Sequence, residues 1–343
     1  MTTRALTGIK PTGQPHWGNY FGMVLPSLEL GESGDAFIFI ADYHALTTVR
    51  DATALRQNNY EIAAALLAAG LDPSKTVLWR QSDTPEVTEL SWILSCVTGF
   101  GMMERAHAFK DARAKGREVN FGLVAYPALM AADILMYDPD VVPVGKDQIQ
   151  HVEMTRDMAG YFNQAFLGDT CHGESGQWDG RGLKRPRAVV RESVAVVPGL
   201  DGRKMSKSYR NYIPMFAPRN AKRKKDGLWE YITQIVTDST PLEDPKNPDT
   251  CNVVGLYKLF ATPDELAALE AKYRAGNYGY GHAKIELWEK AREHFDGMQD
   301  RHEALMADTD TLDDILKEGA CRARAVAGET MARVRAACGF NPI

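Results

Sequence analysis

Residues 202–208, GRKMSKS, place Arg203, Lys204 and Lys207 among small residues just after a glycine turn. Two lysines three apart, interleaved with Ser206 and Ser208, suit a polyanion that is gripped and then released. A solvated basic loop would have the same composition. A second stretch, GIKPTGQPHWGNYFGM at 8–23, puts His16 and Asn19 one helical turn apart. The two can face the same side, and both can donate hydrogen bonds to phosphate oxygens. Gly13 and Gly18 would let a ligand approach the backbone closely. A helix cap with a buried histidine is the alternative reading of this stretch.

These residues need a scaffold, and the first half of the chain supplies a recognisable one. ALTGI is a short apolar segment leading into the glycine–proline loop. DAFIFIAD (35–42) and TVLWRQS (76–82) read as buried strands, and DVVPVG (140–145) as a short one. Helical spacing occupies 54–72, 87–100, 121–138 and 147–166, with Pro127 early in the third and Asp147 at the start of the fourth. Strands alternating with helices predict a doubly wound, Rossmann-like parallel sheet. In such sheets ligands bind beyond the carboxyl ends of the strands, and helix N-termini attract phosphate there. After about Asn211 the strand signal fades into long helical segments. The expected division is therefore a catalytic domain over 1–212 and an all-helical domain over 213–343, with the basic stretch 216–227 as linker.

Composition narrows the function classes. The chain has 343 residues, 44% hydrophobic and 25% charged, as expected for a globular protein large enough for two domains. No apolar run approaches a membrane span, and MTTRALTGIK lacks the apolar core of a secretory signal. Five scattered cysteines share no CxxC spacing. That pattern fits a reducing cytoplasm and suggests neither a zinc ribbon nor an iron–sulfur cluster. The net charge of −5 hides a strip from Lys184 to Lys225 with 13 basic and two acidic residues. A positive strip on an acidic chain points to one anionic ligand surface, nucleotide phosphate or RNA, or else to a linker that meets only water. No GxGxxG and no GxxxxGK[ST] is present, which disfavours dinucleotide enzymes and P-loop NTPases.

PHWGNY near the start and KMSKS far downstream, in this order on this α/β pattern, resemble the two signatures of class I aminoacyl-tRNA synthetases. YPALMAADILMY (126–137) and VPVGKDQIQHVEMTRDMA (142–159) narrow the likeness to the tryptophanyl-tRNA synthetases. It runs from Thr7 to at least Ser208 and continues more weakly through the helical half. The resemblance implies ATP, L-tryptophan and tRNA(Trp) as substrates, with Mg2+ carried on the ATP phosphates and no protein metal ligand. It implies catalytic roles for His16, Asn19, Lys110, Lys204 and Lys207. Lys10, Pro11, Thr12, Gly18 and Asn19 would line ATP, as would the strip from Lys204 through Met205, Ser206 and Lys207 to Ser208. Gly145, Lys146 and Asp147 would bracket the ribose, and Ala195 would meet the adenine through its backbone.

For tryptophan, the resemblance places Asp133 against the indole N–H, with Met130, Val142 and Val144 as apolar walls and Tyr126 and Gln148 at the amino group. Flanking Ala131, Ala132, Ile134 and Leu135 argue independently that Asp133 is not a solvated helix-face carboxylate. A buried acceptor would reject phenylalanine, which leaves it unpaired. Two positions depart from the family pattern. Lys10 stands where many members carry an uncharged polar residue. Trp17 replaces a smaller aliphatic residue and is expected to repack its helix against the sheet. The family also implies a homodimer, with 99–123 as interface segment, and a helical half that reads the anticodon. A tyrosyl-tRNA synthetase, or a synthetase-like RNA- or nucleotide-binding protein without the reaction, are the competing readings.

Overall fold

The computed structural model describes residues 3–32, 34–106, 109–110, 116, 118–145, 148–168, 177–190, 197–219 and 227–340. Lys146, Asp147 and Ala195, with parts of the 99–123 segment and of the basic linker, lie outside them.

Among the described residues one parallel sheet has the order β3-β2-β1-β4-β5. Its strands are β1 (Ala5–Ile9), β2 (Ala36–Ile40), β3 (Val77–Arg80), β4 (Val141–Val144) and β5 (Arg187–Val190). β2, AFIFI, is buried along its whole length, as a central parallel strand covered on both faces must be. The order reverses between β1 and β4, which opens a crevice at their carboxyl ends. β5 was not anticipated. It is four residues long and begins and ends beside charged residues, too short for a period-two pattern to emerge.

The helix after β1 is not regular. α1 (Trp17–Asn19) passes through a π-helical turn, Tyr20–Val24, into α2 (Leu25–Glu32). Single π turns commonly mark functional sites. α3 (Asp42–Ala45) follows β2 directly. α4 (Ala52–Ala68) starts where the Asp51 carboxylate accepts the Ala54 N–H. α5 (Glu86–Val97), α6 (Phe100–Arg105), α7 (Phe121–Leu135, capped by Asn120) and α8 (Ile149–Leu167) complete the α/β half.

The helical half comprises α9 (Gly227–Thr233), α10 (Asn252–Tyr257), α11 (Pro263–Ala275), α12 (Tyr280–Ala307) and α13 (Thr309–Cys338). α11 opens with a Thr262–Glu265 capping box and Pro263 in its first turn. α13 turns back onto the sheet and covers the edge strand β3. Gly319 makes this possible, since a Cβ there would lie 1.8 Å from the Leu78 carbonyl oxygen. Ala320, Ala323, Ala327, Met331 and Val334 of α13 share a core with Phe37, Trp79 and Leu135. Ion pairs Arg80–Asp313 (2.8 Å) and Arg333–Asp138 (2.6 Å) fasten the same junction.

Trp17 has partners beyond the sheet. Its indole is fully buried and packs edge-on against Phe260 and nearly parallel to Phe295, both in the helical half. The larger side chain therefore joins the helical half to the core that it shares with Ile9, Ile38 and Ile40 of the sheet. The basic strip is also less bare than its sequence implies. Lys184 pairs with Asp140, Arg203 with Asp201, and Arg219 with Asp296 and Asp300. Asp140, Asp296 and Asp300 come from the acidic remainder of the chain, and Asp201 from the strip itself.

Candidate active site

A cleft of about 950 Å³ opens at the carboxyl ends of β1, β2 and β4, at the β1/β4 switch point. Leu6, Thr7 and Gly8 of β1 and Val142, Pro143 and Val144 of β4 form its floor, and residues 204–209 close over it.

At its polar end the PHWGNY signature forms a reciprocal cap. His16 Nδ1 accepts the Asn19 N–H at 3.2 Å, and Asn19 Oδ1 accepts the His16 N–H at 3.1 Å. Because Nδ1 is the acceptor, the ring proton of neutral His16 sits on Nε2 as the remaining donor. Burial, aided by the Lys207 charge, pushes the His16 pKa down to about 4. The imidazole is thus a neutral donor at physiological pH. Gly18 lies beneath it; a Cβ there would come 2.9 Å from the His16 ring.

The KMSKS strip is joined to this cap. The Gly18 N–H points at Met205 Sδ, 3.2 Å away, and Met205 is buried. The chain after the strip returns to the same loop, where Ile213 accepts the Trp17 N–H and Pro15 accepts the Met215 N–H. Lys204, Met205, Ser206 and Ser208 line the cleft, with the two serine hydroxyls 2.8 Å apart. Lys207 does not face the opening directly. Its Nζ donates to the Thr12 carbonyl at 2.8 Å, and burial lowers its pKa. Lys10 lines the cleft, donates to Thr47 Oγ1 at 3.1 Å, and is likewise held below the ordinary lysine range by burial. Gly18, Asn19 and Gly145 are lining residues; the buried Pro11 and the exposed Thr12 and Lys110 are not.

At the other end Tyr126, Met130, Asp133, Val142, Val144 and Gln148 converge, as their spacing on α7, β4 and the start of α8 requires. Asp133 is only 2% exposed. His44 Nε2 meets its Oδ2 at 2.6 Å, and Gln81 Nε2 donates to its Oδ1 at 2.6 Å. Burial raises the Asp133 pKa, while these two bonds oppose the rise. Each carboxylate oxygen keeps a lone pair for a further donor. Tyr126 packs edge-on against His44, ring centroids 4.5 Å apart.

His44 and Gln81 were missed in the sequence, although a signal existed. Both follow closely on the carboxyl ends of strands, β2 and β3, where an open parallel sheet binds ligands. Asp42 belongs to the same layer. It accepts from Ser82 Oγ, Ser82 N–H and the Tyr43 N–H, and so ties the ends of β2 and β3 together.

A 3-2-1-4-5 parallel sheet, a capped loop–helix turn at its switch point and a basic strip closing over the same cleft define a class I nucleotide-binding catalytic fold. The family model for tRNA synthetases of class I (W and Y) matches residues 1–296, and the chain belongs to that family. It is 49% identical to the tryptophan–tRNA ligase of Rhodopirellula baltica over 98% of this chain and all of that one. It is 48% identical to that of Fusobacterium nucleatum, covering 98% of each. The crystal structure of Campylobacter jejuni tryptophanyl-tRNA synthetase complexed with ADP and tryptophan superimposes with a TM-score of 0.88 at 44% identity. That match covers 98% of this chain and all of the other.

Proposed function

We infer that this chain is a tryptophan–tRNA ligase, which activates L-tryptophan with ATP and transfers the tryptophanyl group to tRNA(Trp). The observation that carries this reading is the buried Asp133, held by His44 and Gln81 within an apolar slot that opens into the phosphate end of one cleft. Full-length similarity to tryptophan-specific relatives supports it.

In the first step a tryptophan carboxylate oxygen attacks the α-phosphorus of ATP. A new P–O bond forms, the α–β bridge breaks, and pyrophosphate leaves. In the second, a terminal ribose hydroxyl of the tRNA attacks the activated carbonyl; the ester forms and AMP departs with the bonding pair. The protein's part is positioning and charge neutralisation. Asp133 accepts the indole N–H, and Met130, Val142 and Val144 enclose the ring. Tyr126 and Gln148 hold the amino group, which keeps the carboxylate directed at the nucleotide. His16 Nε2–H, Asn19, Lys204 and Lys207 face the phosphates, and Ser206 and Ser208 add hydrogen bonds. To reach its ligand, Lys207 exchanges the Thr12 carbonyl for a phosphate oxygen. Lys10, Thr12 and Gly18 border the nucleotide, as does the 145–147 turn. Bound to the ATP phosphates, Mg2+ would neutralise charge on the leaving pyrophosphate. The cation-rich polar end suits a metal carried in this way. Among the described residues no three His, Cys, Asp or Glu side chains gather as direct ligands.

Trp92, Phe100 and Phe121 are exposed on neighbouring helices α5, α6 and α7. Large exposed aromatics of this kind favour association, and they support a homodimer through the 99–123 region. The helical half is read as the surface for the tRNA anticodon arm. Cys96, Cys251, Cys321 and Cys338 are free thiols, which suits the cytoplasm. Among the described residues no helix is long and apolar enough to cross a membrane.

The test is exchange of labelled pyrophosphate into ATP with each of the twenty amino acids. Tryptophan should drive it and tyrosine should not. Equal exchange with tyrosine would overturn the specificity.

A further inference from the structure

We propose that Asn211 fixes the shape of the KMSKS strip and thereby positions Lys204 and Lys207 over the nucleotide. The inference rests on the reading of those lysines as phosphate contacts.

Asn211 is 3% exposed and lies three residues beyond the strip. Its amide is bonded to the strip on both sides. Oδ1 accepts the Ser206 N–H at 2.9 Å. Nδ2 donates to the Lys204 carbonyl at 3.2 Å and to Asp201 Oδ1 at 2.7 Å. Its own carbonyl accepts the Leu200 N–H at 2.8 Å. The segment 197–205 is already folded back on itself by Gly199 N–H to Arg203 O and Met205 N–H to Val197 O. Asn211 fills the inside of that fold. A Cβ at Gly199 would lie 2.3 Å from its Nδ2, so the glycine is what admits the amide.

The backbone on either side of Met205 is thus held from the buried side, and the side chain of Lys204 is left on the cleft side. The neighbouring Arg203 is turned elsewhere. It pairs with Asp201 and lies over the Tyr209 ring at 4.9 Å. One planar group must accept from the Ser206 N–H and donate both to the Lys204 carbonyl and to the Asp201 carboxylate, which a primary amide does and a carboxylate cannot. Asn211 touches no reacting atom in this arrangement, so its role is positioning.

The experiment measures pyrophosphate exchange, with kcat and KM for ATP and for tryptophan, on the full chain. The variants are Asn211→Ala, Asn211→Asp, Asp201→Asn, the double Asn211→Asp/Asp201→Asn, and Lys204→Ala as reference. Asn211→Asp sets a carboxylate against Asp201 and the Lys204 carbonyl. Losing buried bonds of this kind should lower kcat roughly tenfold or more, with tryptophan KM within about twofold of wild type. The double variant exchanges donor and acceptor between 201 and 211 and should recover part of that loss. It also keeps the test open if the single variant folds poorly. If Lys204→Ala collapses exchange while the Asn211 variants stay within about twofold of wild type, the inference is overturned and the lysine reading stands. If Lys204→Ala is fully active, the lysine reading falls and takes the inference with it. Equal losses in kcat and tryptophan KM, a lowered melting temperature and no recovery in the double variant would reduce Asn211 to ordinary scaffold.

Discussion

Lys207 Nζ donates to the Thr12 carbonyl oxygen at 2.8 Å, so the second signature of the chain is tethered to the loop that carries the first. Met205 Sδ, facing the Gly18 N–H, makes a parallel link. The two lysines are therefore not equivalent. Lys204 is exposed toward the cleft, whereas Lys207 is half-buried and already engaged. On the function proposed above each acts on charge that develops on pyrophosphate, so alanine at either position should lower kcat for adenylate formation by about two to three orders of magnitude. Tryptophan affinity should change little. Pre-steady-state adenylate formation and equilibrium tryptophan binding, measured on the same variants, separate the two effects. Tryptophan binding lost in step with rate would refute the assignment.

Asp133 is the second point of leverage. Asp133→Ala removes the proposed indole acceptor and also leaves His44 Nε2 and Gln81 Nε2 without their partner. A charged hydrogen bond of this kind is worth about 1.5–3 kcal/mol, so tryptophan KM should rise roughly ten- to a hundredfold. Discrimination against phenylalanine should narrow by a similar factor, because the unpaired acceptor that rejects it is gone. Gln81→Ala should have the same direction and a smaller size. Amino-acid-dependent pyrophosphate exchange with tryptophan, tyrosine and phenylalanine reads out all three. Unchanged selectivity in Asp133→Ala would mean that the indole nitrogen is recognised elsewhere.

The burial of Asp133 was legible because its sequence neighbours are apolar, whereas its role at the indole came from the family resemblance. Its supports were not, since His44 and Gln81 lie 89 and 52 positions away and only the sheet brings them together. The parallel sheet itself followed from alternating strand and helix patterns. β5 escaped because a four-residue strand bordered by arginines carries too little periodicity. Local counting overstated the basic strip, since the acids that pair with Lys184 and Arg219 come from distant segments. Trp17 shows the same limit. It was expected to repack its helix against the sheet, but Phe260 and Phe295, which also pack on it, come from the distant helical half.

That packing gives a stability prediction. Trp17 is fully buried, and its Nε1 has no hydrogen-bond partner, so truncation removes packing without breaking a polar contact. Trp17→Ala should destabilise the fold by about 3–5 kcal/mol, and Trp17→Leu, the aliphatic alternative, by less. Urea denaturation followed by tryptophan fluorescence and far-ultraviolet dichroism measures both. A neutral Trp17→Ala would show that the core collapses around the gap without cost.

The exposed aromatics on α5, α6 and α7 bear on the proposed assembly state. Phe121 is 80% exposed and Trp92 71%. Phe121→Glu should weaken self-association and shift the sedimenting species from dimer toward monomer at micromolar concentration, because a charge introduced into an apolar contact is left unpaired when buried. Analytical ultracentrifugation across a dilution series gives the result. A dimer equally stable in this variant would move the interface to another face.

His16 ties the site to pH. Its pKa of about 4 in the fold lies below the ordinary histidine value of 6.5. Between those values the unfolded chain takes up a proton that the native chain refuses. Stability is therefore fully retained above about pH 6.5 and falls as the pH drops toward about 4. His294, exposed but bonded to the Tyr20 hydroxyl, is shifted in the same direction by partial desolvation and, being screened by solvent, adds little to the slope. His16→Gln removes one titrating group, so the stability difference between wild type and variant should shrink as the pH is lowered. The same reasoning separates the histidine from any acid limb in activity. A neutral imidazole that donates from Nε2 keeps its form throughout the range of about pH 5 to 8, so wild type and His16→Gln should show parallel pH profiles in kcat/KM for ATP, displaced only in height. An acid limb near 6.5 that vanished in His16→Gln would show that the ring titrates in the working enzyme and that its low pKa does not survive nucleotide binding.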